Sequence, residues 1–170
     1  VANSIEPSFS APDQQLAAWG NLLMTALAPR VAAGGDPKDY LSMAAAGAER
    51  IGRRVDTYQT AFGPATVAMQ EVHAYTGLRE PAKALKAASR IHVGDLRGIS
   101  QGRHLLDVAQ AHVQARQPKA AVARLQEAQK QAPVWFRHQG VARSLVGEVR
   151  EIETRMSPAV RTLANAVGLE

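Results

Sequence analysis

The residues able to do chemistry are few, and their spacing argues against most reactions. The five histidines are His73, His92, His104, His112 and His138. A metal site on one helix face needs ligands at i, i+3 or i+4. His104 and His112 are instead eight apart, two turns along one helix, so no metal ion is expected. His104 and Asp107 are three apart, a spacing that gives a surface or inter-helix hydrogen bond. No third group completes a set of acid, base and nucleophile. Cysteine is absent, which removes thiolate nucleophiles, disulfides and thiolate metal sites. The Gly-x-Ser-x-Gly match at Gly98-Ile99-Ser100-Gln101-Gly102 lies between two predicted helices, not on the strand-to-helix turn that a nucleophile elbow needs. Gly94, Gly98 and Gly102 recur every four residues. A phosphate loop needs closer glycines between a strand and a helix, with a lysine, so these three read as a long loop between helices. The expectation is a protein that binds, with no enzymatic activity and no cofactor.

Charge leads to a similar reading. The formal net charge is +5; residues 1–100 carry 10 basic and 9 acidic groups, and residues 101–170 carry 10 and 6. The basic residues of the second half, from Arg103 to Arg161, are spaced singly. Singly spaced arginines make a solvated face, and the aromatic residues among them, Trp135 and Phe136, are adjacent and not interleaved along a stripe to stack on bases. Thr162–Leu169 mimics the first helix and turn of a helix-turn-helix, but no recognition helix follows, and Gly168 reads as a helix C-cap. DNA is expected to be reached only through a domain outside this chain. No apolar run nears the roughly 20 residues needed to cross a bilayer, and no basic-then-apolar leader is present. No membrane partner and a cytoplasmic location are expected. A chain opening on Val1 is expected to be a piece cut from a longer protein, its DNA-binding domain left out.

The elements that must position these groups are helices. The chain has 32 alanines against 15 valines, 5 isoleucines and 7 threonines. Alanine loses no side-chain entropy in a helix, while β-branched residues favour sheets, so the fold class is all-α. Asp36-Pro37, Gly63-Pro64, Glu80-Pro81, Gln117-Pro118 and Ser157-Pro158 read as helix starts, with proline at the first helical position. Leu105, Val108, Ala109 and His112 fall at helical spacing, as do Ala121, Val122, Leu125 and Ala128. Eight helices are predicted, over 12–33, 37–52, 57–76, 80–91, 100–115, 118–131, 136–154 and 157–167. Their short connections make neighbours antiparallel.

Residues 102–135 form a unit about as long as the tetratricopeptide repeat of ~34 residues and resemble it. Leu105, Val108 and Ala109 occupy the large-large-small positions of a first helix, and His112 stands where a tyrosine usually sits. Ala121, Leu125 and Ala128 match the second helix, and Pro133 the closing proline. A second pair carries Val72, Tyr75, Ala84 and Ala88 at corresponding offsets. A fainter third is built around Trp19, Leu23, Leu27, Tyr40 and Ala44. The implied architecture is one tetratricopeptide-like domain over 1–170, a short right-handed superhelix. Its pairs span 12–52, 57–91 and 100–133, and the helices over 136–167 cap it. First helices of such stacks line a concave groove that holds a peptide or small molecule. The repeat offsets place Thr66, Met69, Gln70 and His73 there from one pair, and Arg103, Leu106, Asp107, Gln110 and Gln114 from the next. The same side chains equally suit packing on neighbouring helices. Val141, Leu145, Val149 and Ile152 form an apolar seam expected to mediate dimerisation.

Two stretches carry a narrower resemblance. One is Phe62-Gly63-Pro64-Ala65-Thr66-Val67-Ala68-Met69 with Ala84-Leu85. The other is Arg103-His104-Leu105-Leu106-Asp107-Val108-Ala109, followed by Ala121, Leu125-Gln126-Glu127-Ala128, Ala132-Pro133 and Leu163-Ala164. Together they resemble the C-terminal region of actinobacterial helix-turn-helix transcriptional regulators of the XRE type, from about Trp19 onward. Where that group usually has an asparagine and then a histidine, this chain has Thr66 and Gln70. The resemblance implies a ligand-sensing or dimerising part of a regulator. A free-standing adaptor that holds a peptide is the alternative.

Overall fold

A computed structural model of the chain describes residues 7–8, 10–57, 60–92, 94–153 and 156–169. In chain order the elements are α1 (Asp13–Ala32), α2 (Lys38–Ile51), β1 (Val55–Thr57), β2 (Thr60–Phe62), α3 (Pro64–Gly77), α4 (Pro81–Ala88), α5 (Ile99–Gln114), α6 (Pro118–Gln131), α7 (Pro133–Arg137), α8 (Gly140–Ile152) and α9 (Pro158–Val167). The fold is all-α apart from one small antiparallel hairpin. Proline opens α3, α4, α6, α7 and α9, where its missing N–H leaves no bond unmade. One predicted cap forms as a bond, Ser157 Oγ accepting the Val160 N–H at 3.3 Å. At the other, Asp36 Oδ1 accepts the Lys38 N–H at 2.9 Å, but Pro37 stands at the N-cap and α2 starts one residue later than predicted.

The turns inside the helix pairs repeat one hydrogen-bond pattern. After α1, the Gly34 N–H bonds Val31 O and the Gly35 N–H bonds Arg30 O. After α3, Arg79 and Glu80 donate to Thr76 O and Tyr75 O; after α5, Arg116 and Gln117 donate to Val113 O and His112 O. In each case the first donor has positive φ: 72° at Gly34, 59° at Arg79 and 58° at Arg116. These are Schellman-type helix ends, which satisfy carbonyls that the helix leaves unpaired. Arg79 and Arg116 are 37 residues apart, as are Pro81 and Pro118 or Ala84 and Ala121. The duplication is thus built into the backbone as well as the side chains.

The pairs α1/α2, α3/α4 and α5/α6 pack internally, and α8/α9 closes the series. First helices also touch in succession, α1 on α3, α3 on α5 and α5 on α8, while α2, α4 and α6 each reach the first helix of the next unit. The buried apolar residues accordingly fall into three patches in series. One joins α1, α2, the hairpin and the start of α3; a small one joins α3, α4 and α5; a large one joins α5 to α9.

Two predicted helices differ from those observed. The helix expected over 57–76 begins only at Pro64, because β1 and β2 take the preceding residues, with Val55 opposite Phe62. Phe62 is fully buried, and its ring lies where a side chain at Gly20 would be: a Cβ there would come within 2.2 Å. The helix expected over 136–154 is two, α7 and α8, broken at His138-Gln139. Pro133, expected to close a repeat, instead starts α7.

The dimerisation seam is also corrected. Leu145 and Val149 are each 1% exposed and sit in the large patch with Leu125, Phe136 and Leu163. Ile152 packs partly against the same patch. The apolar stripe of α8 is used internally, closing the open end of α5 and α6, and only Val141, 49% exposed, is left outside.

Candidate functional site

Between the first helices of two successive pairs lies a cleft of about 210 Å³. It is lined by Met69, Gln70 and His73 of α3, by Arg103, Leu106 and Asp107 of α5, and by Gln139 and Val141 where α7 gives way to α8. Met69 and Leu106 are equivalent under the 37-residue offset, as are Gln70 and Asp107. The cleft therefore forms where the same face of two repeats converges, which is why spacing alone reached six of its residues.

The polar centre is a pair joining the helices. His73 Nδ1 lies 3.2 and 3.3 Å from the two carboxylate oxygens of Asp107. The hydrogen bond to Asp107 raises the His73 pKa above its ordinary value; partial burial and the charge of Arg103 pull the other way. The Asp107 side chain is 17% exposed and that of His73 61%, so the carboxylate is sheltered and the imidazole faces water. Asp107 is thus turned to His73 and not to His104, its expected partner. Arg103 is exposed and forms no ion pair among the described residues.

The other expected groove residues lie elsewhere. Thr66 lines a neighbouring cavity of about 450 Å³, with Arg53, Arg54 and Arg97. There Arg53 is paired with Asp13 and Arg54 with Asp56. Gln110 is half-buried outside the cleft lining. Gln114 is structural: its Nε2 donates to Thr76 O at 3.0 Å, a second bond to a carbonyl that the Arg79 N–H already meets, tying α5 to the last turn of α3.

Spacing missed Gln139 and Val141 as cleft residues, since they lie beyond the repeats whose offsets located the rest. Gly140 was the available signal, a residue poorly suited to the interior of one long helix.

Two motifs prove architectural. In Phe62-Gly63-Pro64, Phe62 anchors the first core patch, and a Cβ at Gly63 would come 2.7 Å from Arg53 O. Pro64 then starts α3, so this motif fixes where the cleft helix begins. Gly102 is inside α5, as the helix predicted over 100–115 had it and against the loop reading of the three glycines, and a Cβ there would meet the Trp135 ring at 2.8 Å.

His104 is 9% exposed, and burial lowers its pKa. His112 is half-buried and donates from Nδ1 to Gln117 Oε1 at 2.8 Å, which ties α5 to its turn. Among the described residues no cluster of His, Asp and Glu is arranged to hold a metal, and no helix is long and apolar enough to cross a membrane. No protein-family model matches the chain, and comparisons with curated proteins and with solved structures give no match.

Proposed function

We propose that the chain is the ligand-sensing and self-associating part of a bacterial transcriptional regulator of the XRE type, acting in the cytoplasm. The observation that carries the sensing role is the cleft between α3 and α5, shared by two repeats and by the α7–α8 junction. A molecule held there touches α3 on one side and, on the other, α5 with the α7–α8 junction, which share one core patch. It shifts the angle between them only by binding one arrangement more tightly than another. An attached DNA-binding domain would read that shift. The chain acts by binding and not by turnover, and its partners are a small molecule or peptide and a second copy of itself. That second copy does not dock through Leu145 and Val149, which are buried.

Two measurements test this reading. A thermal-shift screen of metabolites and short peptides, followed by backbone NMR, is expected to yield a saturable ligand that moves amides at Met69, Leu106 and Val141. Absence of any such ligand would overturn the sensing role. The gene upstream of Val1 is expected to encode a helix-turn-helix. A start codon next to Val1 would favour the free-standing adaptor instead.

A further inference from the structure

Charge and size together narrow what the cleft accepts. Asp107, its one carboxylate, is occupied: both oxygens face His73, and the side chain is 17% exposed. Arg103 is the opposite case, exposed and without an ion pair among the described residues. With His73 protonated, it and Arg103 set two positive charges against one carboxylate, so the lining then offers a visitor a net positive field. Guanidinium binds carboxylates through two parallel N–H donors, a geometry an ammonium ligand cannot use.

The remaining walls are mixed. Met69, Leu106 and Val141 supply apolar surface, and Gln70 and Gln139 supply amides. Val141 is 49% exposed, a large apolar side chain left open to water at the rim. A cleft of about 210 Å³ holds roughly seven water-sized volumes. A compact ligand of about eight non-hydrogen atoms can lie in it with its far end open to solvent.

Building on the sensing role, we infer that the cleft takes a small amphipathic monocarboxylate. Its carboxylate lies on Arg103, and its apolar body lies against Met69, Leu106 and Val141. A phosphate monoester would bring a second negative charge next to Asp107 with one guanidinium to meet it, so the singly charged acid fits better.

The test uses three probes of equal length, hexanoate, hexylammonium and 1-hexanol, each titrated to about 20 mM against the whole chain and followed by backbone NMR. Hexanoate is expected to saturate and to move amides at Met69, Leu106 and Val141, with the other two probes at least about tenfold weaker. Arg103→Gln is expected to weaken hexanoate by a similar factor. Val141→Gln, at the rim, should weaken it by a smaller one, and Arg161→Gln on α9 should leave it unchanged. No saturable hexanoate binding, equal binding of hexylammonium, or unchanged binding in Arg103→Gln would each overturn the carboxylate assignment. The metabolite screen is indifferent to ligand charge, so a neutral or cationic cleft ligand found there overturns this inference and keeps the sensing role. Failure of both experiments overturns the two together.

Discussion

At the scale of single residues, two histidines respond to pH in opposite senses. Asp107 favours the imidazolium form of His73, so the pair's contribution is fully present below the ordinary value of 6.5 and is lost as pH rises through the raised one. The pair is well exposed on the His73 side and is worth no more than about 1 kcal/mol. In urea titrations, His73→Gln should therefore fall furthest below the parent at pH values under 6.5, and the gap should close as pH rises through the raised pKa. A gap that does not vary with pH would mean the imidazolium is not what Asp107 holds. His104 runs the other way, because burial lowers its pKa. Its share of stability is present above 6.5 and is lost as pH falls through the depressed value. His104→Leu should flatten the acid limb of the stability profile, with Tm against pH as the readout. The left-handed arginines make a third case. A non-glycine residue there costs roughly 1 kcal/mol, so Arg116→Gly, which keeps the turn, should stabilise by about 0.5–1 kcal/mol in chemical denaturation. Destabilisation would show that the arginine side chain holds the turn by contacts outweighing its backbone cost.

At the scale of elements, the sequence was readable wherever one residue dictates local geometry. Prolines 64, 81, 118 and 158 marked helix starts because their ring fixes φ and removes a donor, and all four open helices, while Pro37, the fifth, stands one residue ahead of α2. The hairpin escaped notice for a physical reason: three residues per strand are too few to show alternation, and Val55 and Phe62 declare themselves only through what they pack against. The break between α7 and α8 was misread because the apolar stripe of α8 outweighed Gly140. Six of the nine groove residues were legible because the tetratricopeptide offsets mark one face of each first helix, although Thr66 and Gln110, which the 37-residue offset relates to Arg103 and His73, fall outside the cleft. Gln114 was not, since its role is set by the neighbouring Thr76 carbonyl, which no spacing reveals. The close approach of Phe62 to α1 gives a prediction against helix propensity. Gly20→Ala places a better helix former in α1, yet it should cost about 1–3 kcal/mol by overpacking, measurable by denaturant unfolding.

At the scale of the whole molecule, burial is distributed along the stack in three patches, with no single centre. Neighbour contacts then carry most of the stability, as in other repeat architectures. Leu125, fully buried in the α5–α9 patch, is a good lever. Leu125→Ala should cost about 2–5 kcal/mol there. Its effect should appear in native-state hydrogen exchange as faster opening of α5 to α9, with α1 and α2 still protected. Uniform loss of protection would show that the patches open as one unit. The turns at Arg79 and Arg116 carry this serial logic further. Each junction presents the same bonds to the proline that follows, so residues 81–117 make an interchangeable cassette. Spliced in twice, the segment would lengthen the molecule by one storey without asking either end to change, and a second trough would open beside the first.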